Sequence, residues 1–363
     1  MSSFQVTAER LTILPHPNAD RLELAEVGLY RAVVAKGQYR TGDHALYIPE
    51  QALLPDALIA ELGLTGRLAG AAANRVKAVR LRGELSQGIV CVPGAVDGTD
   101  LASAARELTD FAERLGVVKW VPPVPVSMSG DVEAAPDLIR WIDIENIKRF
   151  PDIFEPGEPV VATEKLHGTA CLMSYFSEDR RVQMSSKGIG AQYLAIKEDS
   201  KNLYWRAART HGLPEAAELI AKHLDVARVG MFGEVYGAGV QDLDYGASAM
   251  QDATLGYALF DIAVVDSGGE RRWLSHDEIS SLFAELSLAV PRVPVLYEGP
   301  YDAESLLELA EGRETVTGRA VNIREGLVVR PRTERRSDVL GGRAIGKIVS
   351  AAYLLRDGGT EYE

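Results

Sequence analysis

The stretch "EKLHGTA", Glu164–Ala170, follows the apolar run "GEPVVAT" and decides how the chain is read. A short run of this kind, rich in β-branched residues, is expected to be a strand. A lysine at its end must give up hydration to lie there. Partial burial or a neighbouring cation lowers the pKa of such an amine and exposes the free base as a nucleophile. Gly168 offers close backbone access, and His167 and Thr169 supply polar groups beside Lys165. The alternative, open at this point, is an ordinary strand-to-turn junction whose lysine snorkels to water.

The bulk properties narrow the classes. With 363 residues, 46% of them hydrophobic and 25% charged, the chain buries a substantial core and has the length of two or three domains. No unbroken apolar stretch approaches the roughly 18 residues of a membrane span, so no membrane partner is expected. The N-terminus "MSSFQVTAERLTIL" has no basic region followed by a long apolar segment, so a cytoplasmic location is expected. Cys91 and Cys171 are far apart in apolar surroundings and read as buried thiols. Two cysteines and six scattered histidines exclude a zinc finger or an iron–sulfur site.

The net charge of −13, from 39 basic and 52 acidic residues, argues against a nonspecific basic nucleic-acid binder. Two stretches run against that average. "NRVKAVRLRG", Asn74–Gly83, carries Arg75, Lys77, Arg80 and Arg82 with no acid among them, and "NIREGLVVRPRTERRSD", Asn322–Asp338, is mostly basic.

The first 95 residues read as short strands between Gly, Pro and Asp turns: "LELAEVGLYRAVVA", "DHALYIP", "RVKAVRLRG" and "QGIVCVP". With a helical insertion at Asp56–Leu62, they suggest a small all-β barrel of OB type. Residues 100–116 read as a helix, and the proline-rich "VPPVPVSMSGDVEAAP" as an extended connector. The second domain opens near "WIDIENIKRFPDIF" and alternates short strands with helices at Lys201–Arg209 and Glu215–His223. The expected organisation is a module over 1–120, a linker over 121–140 and an α+β domain of largely antiparallel strands over 141–363. No glycine-rich phosphate loop is present, which removes a P-loop reading.

Several charged residues punctuate apolar strands of that second domain. Glu234 lies in "MFGEVYG" and Glu325 in "REGLVVRP". Two carboxylates at strand ends suit a ribose hydroxyl or a divalent cation, or they are solvated turns. In "LFDIAVV", Asp261 adds a third acid and Phe260 a ring that stacks on a base or fills the core. Lys187 in "MSSKGIG" and Lys347 in "RAIGKIVSAAYL" supply cations for phosphate oxygens.

Taken in order, "EKLHGT", "SSKGIG", "FGEVYG", "YALFDIAV", "EGLVVR" and "GKIVS" resemble the covalent nucleotidyltransferase superfamily of polynucleotide ligases and capping enzymes. The set is most similar to ATP-dependent RNA ligases of the Deinococcus type, which carry an N-terminal OB module. Their nucleophile motif, Lys-x-(Asp/His)-Gly, is matched by Lys165, His167 and Gly168. The resemblance implies an α+β nucleotidyltransferase domain of ATP-grasp-like antiparallel sheets with helices. It implies lysyl–AMP formation on Lys165, Glu164 at the adenine edge, Lys187 at the terminal nucleotide or phosphate, and Glu234 at the ribose. It further implies Phe260 stacked on adenine, Glu325 in metal-supported catalysis with Glu234 as a weaker second ligand, and Lys347 at the AMP phosphate. Related ligases commonly show two lysines separated by one residue in the last motif. Ile345 and Gly346 precede Lys347 here, with Arg343 as the nearest other cation.

"HPNADRLELAEVG" resembles the opening of RNA-binding OB modules of tRNA-associated proteins, which makes Arg75, Lys77, Arg80 and Arg82 the candidate phosphate contacts. The implied activity is an RNA ligase using ATP and Mg²⁺ or Mn²⁺ to seal 3′-hydroxyl and 5′-phosphate ends. Its expected partner is nicked duplex RNA or RNA–DNA, with no obligate protein partner. The rivals are a GTP-dependent capping-type nucleotidyltransferase and a nonenzymatic RNA- or tRNA-binding protein on an inactive ligase fold.

Overall fold

The computed structural model describes residues 4–121, 128–246 and 255–356. It divides into two compact units, Met1–Val121 with Glu145–Pro151, and Pro122–Ile144 with Asp152–Glu363.

In the first unit the run Leu22–Ala35 folds as a hairpin, Leu22–Val27 against Tyr30–Ala35, with Thr12–Pro15 added on its free side. A second three-stranded sheet places His44–Ile48 between Thr7–Arg10 and Ile89–Cys91. Leu11, 1% exposed, joins the two sheets where the first strand bends from one to the other. The described ladders of these strands form two small sheets rather than one closed barrel. Between them lies a core of Ala25, Val34, Tyr47 and Val90. The insertion at Asp56–Glu61 is helical as expected. The segment 100–116 is two short helices, Leu101–Arg106 and Ala112–Leu115, not one. The break comes at Leu108, whose φ is +52°, and at Asp110, whose carboxylate accepts from the amides of Val6 and Ala112.

The second unit is α+β. Seven antiparallel strands form one sheet, ordered Val132–Ala134, Leu194–Ile196, Val182–Ser186, Thr169–Phe176, Arg228–Tyr236, Gly256–Val265 and Arg271–Trp273. The edge strand Val132–Ala134 thus lies within the segment read as a linker, while residues 122–127 lie outside the described residues. Side chains alternate across a pleated strand. Met173, Met231 and Val264 pack on one face beneath helices Leu203–Thr210 and Leu213–Leu224. Leu172, Phe232 and Ala263 face the other way, toward Trp141, Phe260 and Trp273. A second antiparallel sheet orders Gly346–Val349, Gly326–Pro331, Pro159–Lys165 and Val295–Pro300. The turn Leu166–Gly168 carries the chain from this sheet into the middle of the seven-stranded one.

Candidate active site

Lys165 ends its strand opposite Gly326, so antiparallel pairing delivers Glu325 beside it. The lysine Nζ lies 2.6 Å from Glu325 Oε1, with the two side chains 26% and 9% exposed. A carboxylate at that distance offsets the desolvation of the ammonium. Gly326 permits the approach: a Cβ there would stand 1.9 Å from the Ile348 carbonyl oxygen. The other carboxylate oxygen of Glu325, Oε2, is buried and accepts no hydrogen bond from the described residues. A buried acceptor without a protein partner calls for a water, an ion or a ligand to complete it.

Glu234 reaches the same place from the seven-stranded sheet, paired with Ala170 just beyond the turn. Burial pushes its carboxyl up to about 8; Lys165 and Lys187 oppose the rise, Glu325 adds to it, and the Gly168 amide steadies the charged form. A Cβ at Gly168 would stand 2.1 Å from the Val235 carbonyl oxygen, which is why the turn carries glycine there. The arrangement therefore gathers Lys165, Glu234, Glu325 and Lys187 into one electrostatic group. Lys187 begins a short helix, Lys187–Ala191, and pairs with Asp143 at 2.5 Å.

Three candidates are engaged by the protein itself. Glu164 is buried, and its carboxylate accepts from the Thr315 amide at 2.9 Å and the Thr315 hydroxyl at 2.5 Å. Burial raises its pKa. His167 is buried between Asp242, 2.7 Å from Nε2, and Tyr353, 2.8 Å from Nδ1. Phe260 is the extra residue of a β-bulge opposite Phe232 and Gly233. A bulge re-aims a side chain, and this ring packs 4.9 Å from that of Trp141.

Lys347 lies opposite Val328, on the strand beside Gly326–Pro331. Arg343 is committed elsewhere: its guanidinium pairs with Asp261 and Glu334 and sits 4.6 Å over Trp273. Asp261 is fully buried in that network, which also takes in Arg330 at 3.3 Å. Asp143, Asp242, Thr315, Tyr353 and Arg356 carried no sequence signal, because each acts through a contact distant along the chain.

Arg75, Lys77, Arg80 and Arg82 belong to the other unit and do not form one row. Arg75 is half-buried, its guanidinium 4.0 Å from the Trp120 ring. Arg80 and Arg82 are exposed on the hairpin Val79–Leu81/Glu84–Ser86, where Arg80 donates to the Gly83 carbonyl at 2.9 Å.

Among the described residues no three His, Cys, Asp or Glu side chains cluster as a complete metal cage. Mg²⁺ and similar ions need none: they keep several waters and take one or two carboxylates plus substrate phosphates. Glu325, with its orphaned oxygen, and Glu234 fit that donor set. No helix of the described residues is long and apolar enough to cross a membrane.

Comparison with known proteins adds the following. The family model of RNA ligases matches residues 158–349, and an OB-fold domain model matches residues 5–93. No curated protein matches the chain. Among solved structures the chain is similar to a Naegleria gruberi RNA ligase variant with ATP and Mn, at 24% identity and a TM-score of 0.76 over 96% of this chain and 98% of that one. It is similar to the same ligase with PPi, at 24% identity and a TM-score of 0.75 over 97% and 98%. A glutamate-to-alanine variant with AMP and Mn gives 25% identity and a TM-score of 0.74 over 97% and 98%.

Proposed function

The chain belongs to the RNA ligase family, and from that premise we propose that it uses ATP to join 3′-hydroxyl and 5′-phosphate ends through an adenylate on Lys165. Its substrate is a nick in a duplex with RNA on the 3′-hydroxyl side. The observation that carries the reading is the Lys165–Glu325 pair at 2.6 Å with Glu234 beside it. The similar Naegleria ligase structures with ATP or AMP and Mn support the choice of nucleotide and of a divalent cation.

In the first step the lone pair of Lys165 Nζ forms a bond to the α-phosphorus of ATP, and the bond to pyrophosphate breaks. The amine loses its proton on the way, and Glu325 Oε1 is the acceptor already at hydrogen-bond distance. In the second step AMP passes to a 5′-phosphate end and Lys165 is regenerated. In the third, the 3′-hydroxyl attacks the activated phosphate and AMP leaves. Each displacement requires in-line geometry and cations against the phosphoryl oxygens, a task for Lys187 and Lys347. Mg²⁺ or Mn²⁺, when bound, supplies positive charge against the phosphates, and Glu325 and Glu234 are the residues that would hold it. Glu164 and Phe260 belong to the purine end of the site, Glu164 acting together with Thr315. Of the four basic residues in Asn74–Gly83, Arg80 and Arg82 are exposed and serve nucleic-acid phosphates; Arg75 and Lys77, half-buried, contribute less.

The test is a set of labelled nicked duplexes differing only in the 3′-hydroxyl strand. Wild type is expected to seal the RNA-ended nick with ATP and not with GTP. K165A is expected to seal only when the 5′ end is supplied already adenylylated. Sealing by K165A of an ordinary 5′-phosphate, or a preference for GTP, would overturn the reading.

A further inference from the structure

Lys165 ends its strand, and the turn Leu166–Gly168 follows it directly, so what holds His167 also fixes the turn that leaves the nucleophile. The imidazole is 4% exposed and bonded at both nitrogens. Asp242 is a carboxylate and only accepts, so Nε2 carries the hydrogen and donates to Asp242 Oδ1 at 2.7 Å. Nδ1 is then the acceptor for the Tyr353 hydroxyl at 2.8 Å. Burial lowers the ring's pKa and favours this neutral form. The His167 amide donates to Tyr245 Oη at 2.7 Å, fixing the backbone of the same turn.

The circuit closes through the C-terminal segment. Arg356 donates to both oxygens of Asp242, at 2.7 and 3.1 Å, and its guanidinium lies 3.6 Å over the Tyr353 ring. Tyr353 is on the short helix Ala351–Leu354, which Ser350 caps. Ser350 also grips the other half of the reacting pair. Its amide donates to the Glu325 carbonyl at 2.9 Å and its hydroxyl to the Arg324 carbonyl at 2.8 Å. Residues 350–356 therefore anchor the imidazole two residues beyond Lys165, and the backbone that carries Glu325.

We propose that Tyr353 and Arg356 are positioning residues for the attack of Lys165 on the α-phosphorus, acting through His167 and Asp242. The proposal rests on Lys165 being the adenylylated residue. A displaced nucleophile loses rate steeply because the reacting atoms must meet in line. The final sealing step makes no bond to Lys165, so it does not depend on this circuit in the same way.

Tyr353→Phe keeps the ring and removes the donor, leaving Nδ1 buried and unsatisfied. Arg356→Lys keeps the charge and removes the fork. For each, the rate of enzyme–AMP formation at saturating ATP, the ATP concentration for half-maximal rate, and sealing of a pre-adenylylated nick are measured. The expected result for Tyr353→Phe is adenylylation slowed about tenfold, with half-saturation and pre-adenylylated sealing changed by no more than about twofold. Arg356→Lys changes the same step in the same direction. In a His167→Ala background Tyr353→Phe is expected to cost nothing more, since its partner is gone. The proposal is overturned if both variants adenylylate at the wild-type rate, if the two steps fall together, or if Tyr353→Phe and His167→Ala act additively. Absence of label on the wild-type lysine would instead overturn the functional reading beneath it, and this proposal with it.

Discussion

Glu234 shows at the residue scale how the site holds its charges. Its carboxyl is pushed from 4.5 to about 8, mainly by burial, so the folded protein binds a proton there that the unfolded chain has released. The stabilisation from that proton is complete below pH 4.5 and is lost as pH rises toward 8, where the carboxylate must be accommodated. Glu234→Gln removes the titration. Relative to wild type, in metal-free buffer, the variant's melting temperature is expected to gain progressively from pH 4.5 to about 8 and to level off above it. A difference that stays constant across that range would contradict the shifted carboxyl. Glu234 stood out in the sequence because an acid between glycine and valine in "FGEVYG" interrupts a strand pattern. Asp143, Thr315 and Tyr353 did not, because nothing local distinguishes a partner found across 44, 151 or 186 positions.

Among the elements, Asp261 decides how the two sheets of the ligase domain are joined. It lies on Gly256–Val265 of the larger sheet and accepts from Arg330 on Gly326–Pro331 of the smaller one, and from Arg343 nearby. Asp261→Ala leaves two buried guanidiniums without this partner. Breaking a buried pair from one side costs about 3–5 kcal/mol, which a urea titration would read as a lower midpoint; a change below about 1 kcal/mol would contradict the network. The strands of this domain were legible because their β-branched runs ended at charged residues. The bulge at Phe260 was not, since a one-residue excess appears only when two strands are laid side by side. Pattern also joined residues 100–116 into one helix, because apolar spacing persists across the Leu108 break that a left-handed residue imposes.

For the whole molecule, chain order carried the strongest signal. Lys165, Lys187, Glu234, Glu325 and Lys347 are widely spaced in sequence. Antiparallel pairing nonetheless brings Lys165 to Gly326, Ala170 to Glu234 and Val328 to Lys347. The basic stretch Asn74–Gly83 was legible as charge but not as geometry, since Arg75 turns onto Trp120 while Arg80 and Arg82 face solvent.

The central claim is that Lys165 becomes covalently adenylylated. The most direct measurement incubates the protein with α-labelled ATP and a divalent cation, then follows label through denaturation, with K165A alongside and intact mass recorded before and after pyrophosphate treatment. The account requires label that survives denaturation, is discharged by pyrophosphate and is absent from K165A. No label with Mg²⁺ or Mn²⁺ on protein shown by mass to start free of AMP, or equal labelling of K165A, would contradict it.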